Sequence, residues 1–154
     1  MAGSAPKIEI DSSGLAVTIL VTSWHTEITD ALLAGAERAL KNSGNDLYTV
    51  VRVPGAFELP LAAKWAAEDE ADAIIALGVV IQGETPHFDY VCDAATQGLT
   101  QVQLEYGVPI GFGLLTVDNA QQALDRAGLP DSKEDKGAEA VEAAIHMARL
   151  RHID

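Results

Sequence analysis

Ile74-Ile75-Ala76-Leu77-Gly78-Val79-Val80-Ile81 runs into Gln82-Gly83-Glu84-Thr85-Pro86-His87, and then into Phe88-Asp89-Tyr90-Val91-Cys92-Asp93-Ala94-Ala95-Thr96-Gln97-Gly98-Leu99. The first part is unbroken apolar sequence rich in β-branched residues. That suits a strand covered on both faces, as in a parallel sheet. The last part repeats apolar residues at Phe88, Val91, Ala95, Leu99 and Val102, which is helical spacing. The polar turn between them offers Thr85 as a helix cap and Pro86 as a first helical residue. The stretch therefore predicts a strand, a tight turn and a helix whose amino end faces the end of the strand. Free backbone amides at such an end attract an anion, and Gly83 allows close approach. His87 follows in the first helical turn, beside that pocket.

Outward from this stretch the pattern repeats. A first strand is expected over 15–21, ending at Thr22-Ser23-Trp24-His25, with a helix over 26–42 and Gly44 past its end. A second strand is expected over 47–53, broken by Pro54-Gly55-Ala56-Phe57-Glu58-Leu59-Pro60, with a helix ending near Glu68. A fourth strand is expected over 109–116. Asp118 or Asn119 then caps a short helix reaching Arg126, with Gly128 as its stop. After a charged loop, a last helix from Lys136 to about Arg151 buries Val141, Ala144, Ile145, Ala148 and Ile153 or its neighbours. Four strands alternating with helices imply a three-layer α/β sandwich, flavodoxin-like, around a four-stranded parallel sheet.

The expected organisation is a flexible arm over 1–13 and one domain over 14–154. Lys7-Ile8-Glu9-Ile10 alternates, so it reads equally as an edge strand, an arm on a neighbouring subunit or a mobile terminus. Of 154 residues, 48% are hydrophobic, enough for one real core. The net charge of −13 argues against nucleic acid or an anionic membrane as partner, and obliges any phosphate to find a local cation. The single cysteine, Cys92, forbids an internal disulfide and reads as a buried, inert thiol. No Cys/His cluster has metal spacing, so no metal is expected. The longest apolar run, 73–81, is shorter than the roughly 20 residues a bilayer demands, and no basic-then-apolar leader opens the chain, so a cytoplasmic protein is expected.

In open parallel sheets, ligands bind at the carboxyl ends of the strands. Trp24, Ala56-Phe57-Glu58 and the 83–87 turn all fall there, with Phe112 inside the fourth strand. Trp65 is assigned to the core or an interface. His25, His146 and His152 are assigned to surfaces or subunit contacts. Glu68, Asp69, Glu70, Asp131, Glu134 and Asp135 are assigned to solvated surface. Glu58 reads evenly as an acid favoured by the helix dipole or as a partner for a ligand hydroxyl. Arg126 reads either as a favourable last-turn cation or as a phosphate ligand.

Val53-Pro54-Gly55-Ala56-Phe57-Glu58-Leu59-Pro60 and Gly78-Val79-Val80-Ile81-Gln82-Gly83-Glu84-Thr85-Pro86-His87-Phe88-Asp89 together resemble the lumazine synthase family. Val108-Pro109-Ile110, Phe112-Gly113, Gln122-Ala123-Leu124-Asp125-Arg126-Ala127-Gly128 and Asp135-Lys136-Gly137 agree in the same order. The resemblance implies condensation of 5-amino-6-(D-ribitylamino)uracil with 3,4-dihydroxy-2-butanone 4-phosphate to 6,7-dimethyl-8-ribityllumazine, releasing phosphate and water without a cofactor. It implies His87 as general acid/base, Gly83, Glu84 and Thr85 as the phosphate turn, and Arg126 as its charged partner. Trp24, Ala56, Phe57, Glu58, Val79, Val80 and Ile81 resemble the pyrimidine and ribityl pocket. Phe112 would stack at its wall, and Lys136 would approach the pyrimidine. The chain departs from the family at Trp24-His25, where many members have Phe-Asn, and at Gln82, where Arg is common. The resemblance also implies a homo-oligomer with sites between subunits, and riboflavin synthase as a candidate partner. Pro130 and the charges of the 128–136 connection favour a pentamer over a 60-subunit shell. The competing readings are a flavodoxin-like flavin or nucleotide module, a non-catalytic shell subunit, and an archaeal-type riboflavin synthase. Joint retention of His87, Arg126 and Lys136 speaks against the second.

Overall fold

The computed structural model describes residues 3–151. The chain runs β1 (Val17–Thr22), α1 (Thr26–Asn42), β2 (Thr49–Val53), a 3-10 turn (Ala56–Glu58), α2 (Leu59–Glu68), β3 (Ala73–Ile81), α3 (His87–Tyr106), β4 (Ile110–Val117), α4 (Ala120–Leu124) and α5 (Lys136–Leu150). The four strands form one parallel sheet in the order β2-β1-β3-β4. This is the three-layer α/β arrangement that the strand–helix alternation predicts. His152 and Ile153 lie outside the described residues.

β3 earns its central place from its sequence: Ala73, Ile74, Ile75, Ala76 and Leu77 are all fully buried. Alternate side chains feed the two halves of the core. On one face Ile75, Leu77 and Val79 join Ile19, Val21, Leu32 and Leu40 with Val141 and Ile145, beneath α1 and α5. On the other, Ile74 and Ala76 join Leu20, Leu59, Ala63, Ala95 and Leu99, beneath α2 and α3. Fully burying one such Leu or Ile stabilises the fold by roughly 1.5–3 kcal/mol.

The element ends shift from expectation for local reasons. β2 begins two residues late because the Asn45 carboxamide accepts from the Leu47 amide in a turn, leaving Leu47 exposed. Thr85 is exposed and does not cap α3. The Pro86 carbonyl instead accepts from Asp89 and Tyr90, and the helix starts at His87. Asn119 rather than Asp118 caps α4, accepting from the Gln122 amide at 3.0 Å. α4 stops at Leu124, so Arg126 lies in the turn beyond it, and Gly128 takes the left-handed φ of 72° that the stop requires.

Residues 3–16 contain no strand. Ile10 rests on the core, and Ser12 is buried against the end of α1, where its hydroxyl meets the Ser43 hydroxyl at 2.5 Å. Trp65 is 58% exposed, which removes the core from its two assignments. Glu134 and Asp135 are half-buried and bonded rather than freely solvated: Glu134 pairs with Lys136, and Asp135 caps α5 through the Ala138 amide and pairs with Arg38. Cys92 is half-buried, and burial together with the nearby Asp89 pushes its thiol above the ordinary value. That disfavours the nucleophilic thiolate.

Candidate active site

In the order β2-β1-β3-β4 the chain leaves β1 toward β2 and then returns to the other side at β3. The crevice at the carboxyl ends of β1 and β3 is therefore the switch point where such sheets bind ligands. A cavity of about 600 Å³ opens there. Each wall comes from a chain segment leaving the sheet: Trp24 and His25 after β1, Gly55 to Glu58 after β2, Val79, Val80 and Ile81 from the end of β3, and His87, Tyr90 and Val91 from the first turns of α3.

The floor is built by a close approach. Thr22 ends β1 and Gly78 lies within the neighbouring β3, and a Cβ at Gly78 would meet the Thr22 hydroxyl at 2.7 Å and Leu114 at 3.1 Å. Glycine here leaves room for the Thr22 and Leu114 side chains beside the cavity's β3 wall. The walls are largely apolar and open: Trp24 is 66% and Phe57 67% exposed. Such exposed aromatic surface is what a planar heterocycle stacks on. The indole Nε1 of Trp24 and a carboxylate oxygen of Glu58 lie 3.3 and 3.4 Å from where a Cβ of Gly55 would stand, so indole and carboxylate flank one glycine. Glu58 sits at the amino end of α2 without making a capping bond, which leaves its carboxylate available to the cavity.

Of the residues expected in the site, the cavity gathers Trp24, Ala56, Phe57, Glu58, Val79, Val80, Ile81 and His87. Gly83, Glu84 and Thr85 form the exposed turn on its rim, between β3 and α3. Among the described residues their amides donate to no protein acceptor, and a Cβ at Gly83 would meet nothing within 4 Å. The turn therefore presents unspent donors beside the amino end of a twenty-residue helix.

Phe112, Arg126 and Lys136 do not line this cavity. Phe112 pairs with Ala76, five residues short of the end of β4, on the order of 16 Å down the strand. It is 49% exposed on an edge strand. Arg126 and Lys136 adjoin each other, since the Lys136 amide donates to the Arg126 carbonyl at 3.0 Å. The Lys136 ammonium lies 2.7 Å from Glu134 and 3.2 Å from Glu139. Its hydrogen bond to Glu134 raises the ammonium above its ordinary value and holds the Glu134 carboxyl below its own, with Arg126 adding to the latter. The Arg126 guanidinium also donates to the Gln122 carbonyl at 2.8 Å, the end-of-helix role open to any last-turn cation.

Four cavity residues were not assigned from sequence. Tyr90 and Val91 stand three and four positions beyond His87, so helical periodicity alone could have found them. Gly55 lay inside a quoted motif without a role. His25 was assigned to a surface or a subunit contact; it is exposed, and it also lines the open cavity, for which its neighbour Trp24 was the signal.

A profile of the family described as 6,7-dimethyl-8-ribityllumazine synthase matches residues 14–152. A 6,7-dimethyl-8-ribityllumazine synthase of Kineococcus radiotolerans is 66% identical over 150 residues, covering 97% of this chain and 93% of its own. One from Clavibacter sepedonicus is 60% identical over 149 residues, covering 95% and 92%. One from Mycobacterium avium is 56% identical over 139 residues, covering 90% and 86%. A crevice at the switch point, an imidazole and a free-amide turn at the head of α3, and this likeness along nearly the whole chain agree: the chain belongs to the lumazine synthase family.

Proposed function

We propose that the crevice at the head of α3 is where this chain carries out the family's reaction, with His87 moving the protons and a neighbouring copy completing the site. The reaction is the riboflavin-pathway condensation of 5-amino-6-(D-ribitylamino)uracil with 3,4-dihydroxy-2-butanone 4-phosphate, a transferase activity on two small molecules. It forms an imine, expels phosphate, and closes the ring with loss of water. Each step moves protons, and a positioned imidazole supplies about 10²- to 10⁴-fold. Holding the two substrates together can supply roughly 7–11 kcal/mol more. In this reading Trp24 stacks on the pyrimidine, Ala56 to Glu58 and Val79 to Ile81 enclose it with the ribityl chain, and the amides of Gly83, Glu84 and Thr85 receive the departing phosphate.

The observation that carries the reading is a missing charge. No Lys or Arg is among the residues lining the cavity, although a dianionic phosphate must leave from it in a chain of net charge −13. Arg126 and Lys136 are half-buried and do not line their own cavity. A cyclic assembly brings one copy's edge to the next copy's crevice, so that Phe112, Arg126 and Lys136 of one subunit face Trp24, Glu58 and His87 of another. A pentamer fits better than a shell. The 128–136 connection is braced by an antiparallel bridge between Ala127 and Asp135, and by Ser132, which bonds the Leu129 amide and the Leu124 carbonyl. The same reading takes residues 1–13 as an arm, the remainder as one domain, riboflavin synthase as a candidate partner and the cytoplasm as the location. No helix among the described residues is long and apolar enough to cross a membrane.

The test is to incubate the purified protein with both substrates. Appearance of lumazine absorbance with green fluorescence is expected. A protein that forms none, and instead purifies yellow with bound flavin, would be a carrier of the flavodoxin kind.

A further inference from the structure

We propose, on the strength of the reaction and the cyclic assembly assigned above, that Arg38 of α1 is a positioning residue for Arg126: it sets where the phosphate-binding guanidinium stands without touching the phosphate itself. One nitrogen of Arg38, Nη2, donates twice, to the Gly128 carbonyl at 3.3 Å and to an Asp135 carboxylate oxygen at 3.2 Å. Those two acceptors belong to the two chain segments that hold Arg126. Gly128 lies two residues beyond it. Asp135 lies on the returning segment, which pairs with Ala127 as an antiparallel bridge and donates the Lys136 amide to the Arg126 carbonyl at 3.0 Å. A single nitrogen on α1 therefore fastens both sides of the turn in which Arg126 sits.

The seat under that nitrogen is cleared by glycines. A Cβ at Gly35, one turn before Arg38, would overlap the Asp135 carboxylate, and a Cβ at Gly137 would overlap the Leu32 carbonyl. Gly128, at φ 72°, comes so close that a Cβ there would stand 2.5 Å from the Asp135 carboxyl carbon. Side chains at these places would displace the carboxylate or push the turn off α1. Arg126 spends one nitrogen on the Gln122 carbonyl at 2.8 Å, so where its remaining donors point follows from where its backbone is held. Charge-assisted bonds to phosphate weaken steeply when the donors are misaligned, so a small shift of the turn is felt at the ligand. The Arg38 side chain is itself 54% exposed, and an exposed ion pair contributes little to stability. Its two bonds therefore act on the placement of the turn more than on folding.

The test compares Arg38→Met, which keeps an apolar stem and removes the donors, with Arg38→Lys. Both bonds leave from one nitrogen, so an ammonium can make them again. Arg38→Met is expected to raise the KM for 3,4-dihydroxy-2-butanone 4-phosphate about three- to fivefold, less than removal of Arg126 itself. The KM for 5-amino-6-(D-ribitylamino)uracil and the melting temperature without phosphate should stay near the parent's, and Arg38→Lys should recover most of the loss. In a double-mutant cycle, Arg38→Met placed on Arg126→Ala should change the KM by less than about 1.5-fold, since no guanidinium is left to place. A KM of Arg38→Met equal to the parent's, a loss that multiplies in full with that of Arg126→Ala, or equal losses for both substrates would overturn the proposal. Thermal protection by inorganic phosphate gives the same comparison without turnover. Protection that weakens in Arg38→Met, in a parent that makes no lumazine, contradicts the reaction and sustains the positioning role. An active parent whose phosphate KM and phosphate protection ignore Arg38 does the reverse.

Discussion

The crevice at the switch point and the cluster beside β4 are built on opposite plans. The crevice is an open apolar surface, with Trp24 and Phe57 about two-thirds exposed and no cation in its lining. The cluster is braced: Lys136 pairs with two carboxylates, Arg126 bonds a carbonyl, and Asp135 both caps α5 and pairs with Arg38. One region is open, and the other holds half-buried charges in place by ion pairs and hydrogen bonds. In the proposed reading these are two halves of a site, and the chain's own cavity is lined by only one of them. It also separates two kinds of consequence. Substitutions in the crevice should change chemistry and leave folding alone, and substitutions under the cluster should change folding as well.

The largest effect is expected at His87. His87→Ala should lower turnover by about 10- to 10⁴-fold, while the melting temperature and pyrimidine affinity stay near the parent's. Steady-state kinetics and thermal melts check both parts, and turnover within twofold of the parent would remove His87 from the chemistry. Next is Arg126→Ala. It should raise the KM for the butanone phosphate about tenfold or more and spare the pyrimidine, since a charged hydrogen bond is worth roughly 1.5–3 kcal/mol. Inorganic phosphate should raise the parent's melting temperature by mass action and the variant's much less. Equal protection of both proteins would place Arg126 outside the phosphate site.

Smaller effects probe the cluster's bracing. Asp135→Ala removes the cap of α5 and should cost about 1 kcal/mol, a fall of roughly 2–4 °C in melting temperature for a chain of this size. The pair formed by Glu134 and Lys136 should shape the pH dependence of stability. The Glu134 carboxyl lies below its ordinary 4.5 in the folded chain, so its contribution is present above that pH and fades as pH falls through the folded value. The Lys136 ammonium lies above its ordinary 10.5, so its contribution is present below that pH and fades as pH rises through the folded value. Glu134→Gln should therefore flatten the acid limb of a melting-temperature profile taken below about pH 5. An unchanged acid limb would make the pair an exposed contact without consequence.

How legible this was from sequence depended on how local each feature is. The 74–99 stretch announced its strand, turn and helix because burial on both faces writes a continuous apolar run, and one buried helix face writes a period. α1 agreed to the residue. α3 starts at His87 because Pro86 takes the cap position, its carbonyl accepting from the Asp89 and Tyr90 amides, a choice that composition does not express. The core option for Trp65 fell, and the cavity position of the exposed His25 went unread, for a common reason: whether a bulky or titratable side chain is core, surface or cavity depends on elements far away in the chain. The separation of Phe112 from the crevice is likewise a matter of register, since only its pairing with Ala76 sets it well below the strand ends. Motif resemblance named both halves, and the fold shows that one chain does not join them in its cavity.

Mixing the two impaired variants, at a butanone phosphate concentration well below the parent's KM, tests that division most directly. His87→Ala chains and Arg126→Ala chains are combined, dissociated and reassembled, and mixed assembly is verified by mass. With equal random mixing, about one interface in four pairs an intact His87 with an intact Arg126 across a cyclic contact. Activity should therefore return to roughly a quarter of the parent's, above the tenth or less expected of either variant alone at that substrate concentration. No recovery in verified mixed assemblies would put both residues in one subunit's site and contradict the account.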